Sequence, residues 1–172
     1  MSYKQKLKDI KAFVFDVDGV FTDGSVYLIP GGHMCRVMNV LDGYAVVKAI
    51  KNGYKIGVIT GGNDEMVRHR INYLGIQDYY AKSHDKAADL NDFLAKHHLD
   101  KNEILTMGDD IPDIAIMNGA AISACPENAV PEVKAVADYI SPVQGGKGAV
   151  RDVIEQVMKV QGKWIADDTQ SV

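Results

Sequence analysis

The sequence has little of what several protein classes require. Its 172 residues contain no run of roughly 18 apolar residues, so no segment reads as a membrane span. There are only two cysteines, Cys35 and Cys125, far apart and in no CxxC pair. They read as reduced structural thiols, not as a disulfide framework. The five histidines, His33, His69, His84, His97 and His98, fall into no HExxH-type metal spacing and read as ordinary polar groups. Positive charge is not in excess: the net charge is −4, so no broad basic face for nucleic acid is expected. The opening MSYKQKLKDIKAF is basic but lacks the apolar stretch of a signal peptide, so a cytoplasmic protein is expected. No internal repeat, low-complexity tract or linker divides the chain. Residues 1–172 therefore read as one domain, long enough to bury a core.

What is present is an alternation of short apolar runs with helical patterns. AFVF (12–15) is a continuous apolar run that ends in acids, as suits a strand buried on both faces of a parallel sheet. YKIGVIT (54–60), EILTM (103–107) and AAISA (120–124) read alike; DYYA (78–81) and DYIS (138–141) are shorter candidates. Helices are expected at 42–53, with Asp42 as cap and Gly53 as stop, and at 63–75, opening on Asn63. A third, at 85–98, carries Ala87, Leu90 and Leu94 on one stripe. Others are expected at 111–118, 127–136 and 147–160. Strand and helix in repeated succession predict an α/β fold with a doubly wound, parallel, Rossmann-like sheet.

One segment departs from that order. SVYLIPGGHMCRVMNV (25–40) reads as a β-hairpin about Pro30-Gly31-Gly32, inserted where a helix is due. Both arms are apolar on both faces. A lone hairpin is marginal in water, so it is expected to pack on another subunit, to cap a site, or both.

The chemistry lies at strand ends. Asp16 and Asp18 follow the first strand as DVDG. In such sheets ligands bind beyond the carboxyl ends of the strands, and residues two apart on a strand share a side. Two close carboxylates repel unless a cation or a shared proton intervenes, which favours a hard divalent ion such as Mg2+. A single acid there would be read as a turn-former; the pair before a glycine points to a site. Thr60-Gly61-Gly62-Asn63 follows the second strong run and opens a helix; alone it reads as a common helix cap, and it also offers a hydroxyl and free amides to a phosphate. Lys86 stands at a helix start, where a cation opposes the dipole; taken alone it reads as a surface lysine, and contact with phosphate and Asp16 would be the functional reason for it. Gly108-Asp109-Asp110-Ile111-Pro112-Asp113 follows another strand, and its acids can complete a metal site, cap a helix, or do both. Gln144-Gly145-Gly146-Lys147-Gly148, with Arg151, reads either as an anion-binding loop or as a flexible loop with solvated charges.

Taken in order, DVDGV, the Thr of VITGG, Lys86 and GDDIPD resemble the four motifs of the haloacid dehalogenase superfamily, in its phosphatase branch. The chain has no room for a large cap domain and is similar to the capless subclass, which implies a homotetramer whose neighbouring subunit closes each site. DGVFTDGSVY, the hairpin, MNVLDGYAV, VADYIS, GGKGAVRDV and VQGKW are further similar to the phosphatases of 3-deoxy-D-manno-octulosonate 8-phosphate, a sugar phosphate of lipopolysaccharide synthesis. The resemblance implies Asp16 as nucleophile, Asp18 as general acid and base, and Thr60, Gly61 and Lys86 on the phosphate. It implies Mg2+ held by Asp16, the backbone carbonyl of Asp18 and Asp109, with Asp110 and Asp113 supporting that shell. Lys147 and Arg151 are similar to residues that reach toward a site in that subclass; for the tail 161–172, order over a neighbouring site is left open. One position departs: many relatives carry Arg after the Thr-Gly, and related nine-carbon nonulosonate phosphatases can carry Glu, where this chain has Gly62. Arg68 and Arg70 are candidates to compensate. A third reading, a non-catalytic assembly module, is opposed by retention of Asp16, Asp18, Thr60, Lys86 and Asp109.

Overall fold

The computed structural model describes residues 3–165. The elements run α1 (Tyr3–Lys6), β1 (Ala12–Phe15), β2 (Tyr27–Ile29), β3 (His33–Cys35), α2 (Val40–Lys51), β4 (Lys55–Ile59) and α3 (Glu65–Tyr73). They continue with β5 (Asp78–Tyr80), α4 (Lys86–His97), β6 (Ile104–Met107), α5 (Ile114–Met117), β7 (Ile122–Cys125), α6 (Pro131–Val136), β8 (Tyr139–Ile140) and α7 (Ala149–Val160).

Six strands form one parallel sheet in the order β5-β4-β1-β6-β7-β8. β1 lies between β4 and β6, so the winding reverses at β1 and leaves a crevice at its carboxyl end. Both faces of β1 are buried. Phe13 and Phe15 join the larger core, with Val46 of α2, Ile71 of α3 and Ile154 of α7. Ala12 and Val14 join the smaller core, with Leu90 and Phe93 of α4 and Ile116 of α5. Helices on both faces explain why these strands are apolar throughout and do not alternate. Gly57 in β4 is needed because a Cβ there would meet the Phe93 ring at 3.0 Å.

The hairpin forms as expected, β2 antiparallel to β3, with Leu28 opposite Met34. Gly31 and Gly32 carry the turn at φ +93° and +81°. Its apolar side chains are exposed: Leu28 is 80 % and Tyr27 62 % accessible. No cap domain interrupts the sheet among the described residues.

Several boundaries differ from expectation, each for a local reason. Asn39, not Asp42, caps α2, its side chain accepting from the Leu41 amide. Asp42 is instead fully buried, and its Oδ1 accepts from the Arg151 amide at 2.8 Å, capping α7, whose own N-cap residue Gly148 has no side chain to do so. Asp64, not Asn63, caps α3. The fully buried residues of α4 are Leu90 and Phe93; Leu94 of the expected stripe packs on the same core, and Ala87 is half-buried. Segment 111–118 splits into a 3-10 turn (Ile111–Asp113) and α5, with Pro112 in its first turn and an Asp110–Asp113 capping box. Helix α6 starts at Pro131, not at 127.

Candidate active site

Strands β1, β4 and β6 deliver their carboxyl ends to one cleft of about 730 Å³. Its lining includes Asp16, Asp18, Thr60, Gly61, Lys86, Asp109, Asp110 and Asp113. Eight of the ten residues singled out in the sequence therefore meet there. Lys147 and Arg151 do not. Lys147 lies 3.7 Å from Asp23. Arg151 pairs with Glu155 one turn on in α7 and lies over the rings of Tyr44 and Trp164. The glycines of their loop serve a different end: a Cβ on Gly145 would fall 1.7 Å from the Gly19 carbonyl oxygen, so this loop packs backbone to backbone on the DVDG turn. Of the tail 161–172, residues 166–172 lie outside the described residues.

The centre of the cleft is an acid cluster with one ammonium. Asp16 is held by its amide on the Met107 carbonyl, across the β1–β6 pairing. Lys86 Nζ donates to Asp16 Oδ1 at 2.9 Å and to Asp113 Oδ1 at 2.6 Å. The other oxygen of Asp113 accepts from the amides of Asp109 (3.0 Å) and Asp110 (3.3 Å). Asp113 thereby accepts three hydrogen bonds and pins the turn that carries Asp109. The fold brings carboxylate oxygens of Asp16, Asp109 and Asp113 within 4.8 Å of one another.

Three such carboxylates around one lysine are short of positive charge. Burial, and then the charge of Asp113, push Asp16 up to about 7 against the opposing pull of Lys86. Burial, and then the charges of Asp113, Asp16 and Asp110, push Asp109 up to about 7 as well. Burial pulls the Lys86 ammonium down, but Asp16 and Asp113 outweigh it and hold it above the usual lysine value. Asp109 Oδ1 is buried and has no hydrogen-bond partner. An orphaned acceptor among crowded acids is a fit for a hard divalent cation with oxygen ligands.

On the β4 side, Thr60 is 3 % exposed and its Oγ1 accepts from the Gly62 amide. Gly62 leaves the mouth open: a Cβ there would lie 3.5 Å from Thr60 Oγ1 and 3.7 Å from Asp18 Oδ2. Arg68 and Arg70 do not fill that space, since they lie over the rings of Tyr79 and Tyr73. The cation that does reach Asp18 is Arg36, from the residue after β3. Its Nε meets Asp18 Oδ1 at 2.5 Å and its Nη1 meets Asp64 Oδ2 at 2.9 Å. Sequence reasoning passed over Arg36, because the hairpin stood out for its apolar arms. The available signal was a lone Arg between Met34-Cys35 and Val37-Met38.

A buried carboxylate held by a lysine, a second carboxylate two residues on, a hydroxyl with free amides and a cation-ready acid form a constellation for covalent phosphoryl transfer. Comparison with known proteins agrees. Residues 75–154 match the haloacid dehalogenase-like hydrolase family. The chain is 32 % identical over 167 residues to the 3-deoxy-D-manno-octulosonate 8-phosphate phosphatase KdsC of Escherichia coli (strain K12), covering 97 % of this chain and 89 % of that one. The crystal structure of the corresponding Yersinia pestis phosphatase superposes with a TM-score of 0.93 at 30 % identity, over 95 % of this chain and 89 % of that one. The Moraxella catarrhalis phosphatase, solved in complex with a magnesium ion, a phosphate ion and a KDO molecule, superposes with a TM-score of 0.92 at 32 % identity, over 95 % and 94 % of the two chains. The chain belongs to the haloacid dehalogenase-like hydrolases and, within them, to the family of the 3-deoxy-D-manno-octulosonate 8-phosphate phosphatases.

Proposed function

We propose that this protein is a magnesium-dependent phosphomonoesterase that hydrolyses 3-deoxy-D-manno-octulosonate 8-phosphate to 3-deoxy-D-manno-octulosonate and phosphate, within lipopolysaccharide synthesis. The observation that carries the reading is the pair Asp16 and Asp18 at the end of buried β1, with Lys86 on Asp16 and Asp109 facing it. The similarity to enzymes of that name supports the substrate.

In this reading Asp16 attacks phosphorus: the Asp16 oxygen–phosphorus bond forms as the bond from phosphorus to the sugar oxygen breaks. Asp18 gives its proton to the departing sugar oxygen and then takes one from the water that cleaves the aspartyl-phosphate. Thr60, the Gly61 backbone and Lys86 hold the phosphoryl oxygens and offset their charge. Magnesium would be held by Asp16, Asp109 and the Asp18 carbonyl, and when bound it supplies positive charge beside the transferred group. Asp113 acts by holding Lys86 and the Asp109–Asp110 amides, and Asp110 by capping the same turn.

The open mouth at Gly62 favours one alternative substrate, a nine-carbon keto-acid 9-phosphate. Phosphate release by purified protein with magnesium is expected to be at least tenfold more efficient on the eight-carbon than on the nine-carbon substrate. The reverse order overturns the substrate and keeps the chemistry; no release from either overturns both.

We further infer a cytoplasmic homotetramer, residues 1–172 acting as one phosphatase domain, in which the exposed hairpin meets a neighbour and helps close its site. Leu28 and Tyr27 exposed on a two-stranded sheet support it. Lys147, Arg151 and the tail would then act across a subunit boundary. Sedimentation at micromolar concentration is expected to give the mass of four chains, and a monomer overturns this arrangement.

A further inference from the structure

Asp18 sits on a turn, with its side chain 39 % accessible, and a side chain so placed has several rotamers open to it. Its orientation is fixed by a relay of three charged groups. Asp64 caps α3, its Oδ1 accepting from the Met66 (2.8 Å) and Val67 (3.2 Å) amides. The other Asp64 oxygen takes Arg36 Nη1 at 2.9 Å. Arg36 in turn grips Asp18 unevenly, Nε to Oδ1 at 2.5 Å and Nη2 to Oδ2 at 3.4 Å. The Arg36 side chain is itself well covered, 11 % accessible, and through Asp64 the relay is tied to the first amides of α3. Oδ1 is the tethered oxygen. Oδ2 is loosely held and faces Gly62 and the cleft.

We propose that Arg36 is a positioning residue for proton transfer: it fixes Asp18 so that Oδ2 points at the leaving oxygen of the substrate. The inference rests on the phosphatase reading above. A planar fork suits this task, because it sets the plane of the carboxylate as well as its place. It also ties the proton-transfer group to the hairpin, since Arg36 is the residue directly after β3.

A positioning role for the acid is read by leaving-group dependence. The ratio kcat/KM covers the steps through departure of the leaving group. A sugar alkoxide needs a proton at that step, whereas p-nitrophenolate leaves without one. In Arg36→Met, which keeps the aliphatic stem, kcat/KM on the sugar phosphate is expected to fall about 100-fold, the low end of what general acid catalysis contributes. That fall should exceed the fall on p-nitrophenyl phosphate by at least tenfold. Arg36→Lys should recover part of the loss, by charge without the fork. Equal falls on the two substrates, with no recovery by lysine, overturn the inference and leave the phosphatase reading intact. Absence of wild-type turnover on both phosphates overturns the reading and the inference with it. Should Arg36→Met fail to fold, Asp64→Asn keeps the helix-capping oxygen while removing the charge that holds Arg36. The same leaving-group selectivity, in smaller measure, is expected there, and its absence counts against the relay.

Discussion

Replacing Asp16 by asparagine is expected to lower magnesium-dependent phosphate release by about 10⁴-fold or more, the scale of removing a covalent nucleophile. Asparagine has the same shape, and the Asp16 amide bond to the Met107 carbonyl is a backbone contact that the change leaves alone. Lys86 keeps Asp113 as a partner. The loss should therefore be chemical and not structural, and the pH dependence of stability separates the two. Burial and Asp113 raise Asp16 from 3.8 to about 7. An acid raised in this way contributes stability that is fully present below its unfolded pKa and is lost as pH rises through the folded value. Without a divalent ion, wild-type protein should thus weaken between about pH 4 and pH 7. Asparagine cannot ionise, so the variant should weaken less over that range and should melt at the same or a higher temperature at pH 8 with a chelator present. Magnesium should raise the wild-type melting temperature more than the variant's. Phosphate assays beside thermal melts read all three. Retained activity sinks the nucleophile, and a lower melting temperature at pH 8 sinks the electrostatic account of the cluster.

Most of the frame was legible because it follows from local rules. AFVF and ILTM are buried throughout, and KIGVI is buried after its exposed Lys55; largely apolar runs of that length between helices leave few alternatives to a parallel sheet. Lys86 was legible as an anomaly: a lysine opening a helix works against the dipole, and the structure shows Asp16 and Asp113 as its compensation. What the sequence hid are relations between distant residues. Asp42 has the position of a cap for its own helix and serves another, 109 positions away, because α2 and α7 start side by side. Arg36 and Asp18 are 18 apart with a hairpin between them, and no periodicity links them. Lys147 and Arg151 carried the right charge in a glycine-rich loop. Those glycines answer to steric contact with the DVDG turn, which composition alone cannot tell from an anion cradle.

That contact makes Gly19 the position where one methyl group should do the most damage. Gly19 sits at φ +86°, and a Cβ there would lie 1.9 Å from Asp109 Oδ2 and 2.3 Å from the carboxyl carbon. The backbone has no room to retreat, because the Gly19 carbonyl is already packed on Gly145, and Gly146 donates to the neighbouring Val20 carbonyl at 2.9 Å. In Gly19→Ala the left-handed backbone costs about 1–2 kcal/mol and the overpacking about 1–3. Melting is expected to fall by roughly 5–15 °C, at about 2–4 °C per kcal/mol for a chain of this size. The larger effect is on metal. Relief must come from turning the Asp109 carboxylate, whose Oδ1 is the buried acceptor without a partner. The half-saturating magnesium concentration should therefore rise at least tenfold, and activity at fixed magnesium should fall about 100-fold, with partial recovery at high magnesium. Gly62→Ala is the control for a methyl in the same cleft. Its nearest neighbour would be Thr60 Oγ1 at 3.5 Å, an ordinary contact at an ordinary backbone conformation, so activity should stay within about threefold of wild type. Equal damage from both alanines would mean that the cleft resists any added bulk. Damage confined to Gly19, with a raised magnesium requirement, would place the cause in the Asp109 carboxylate that the glycine makes room for.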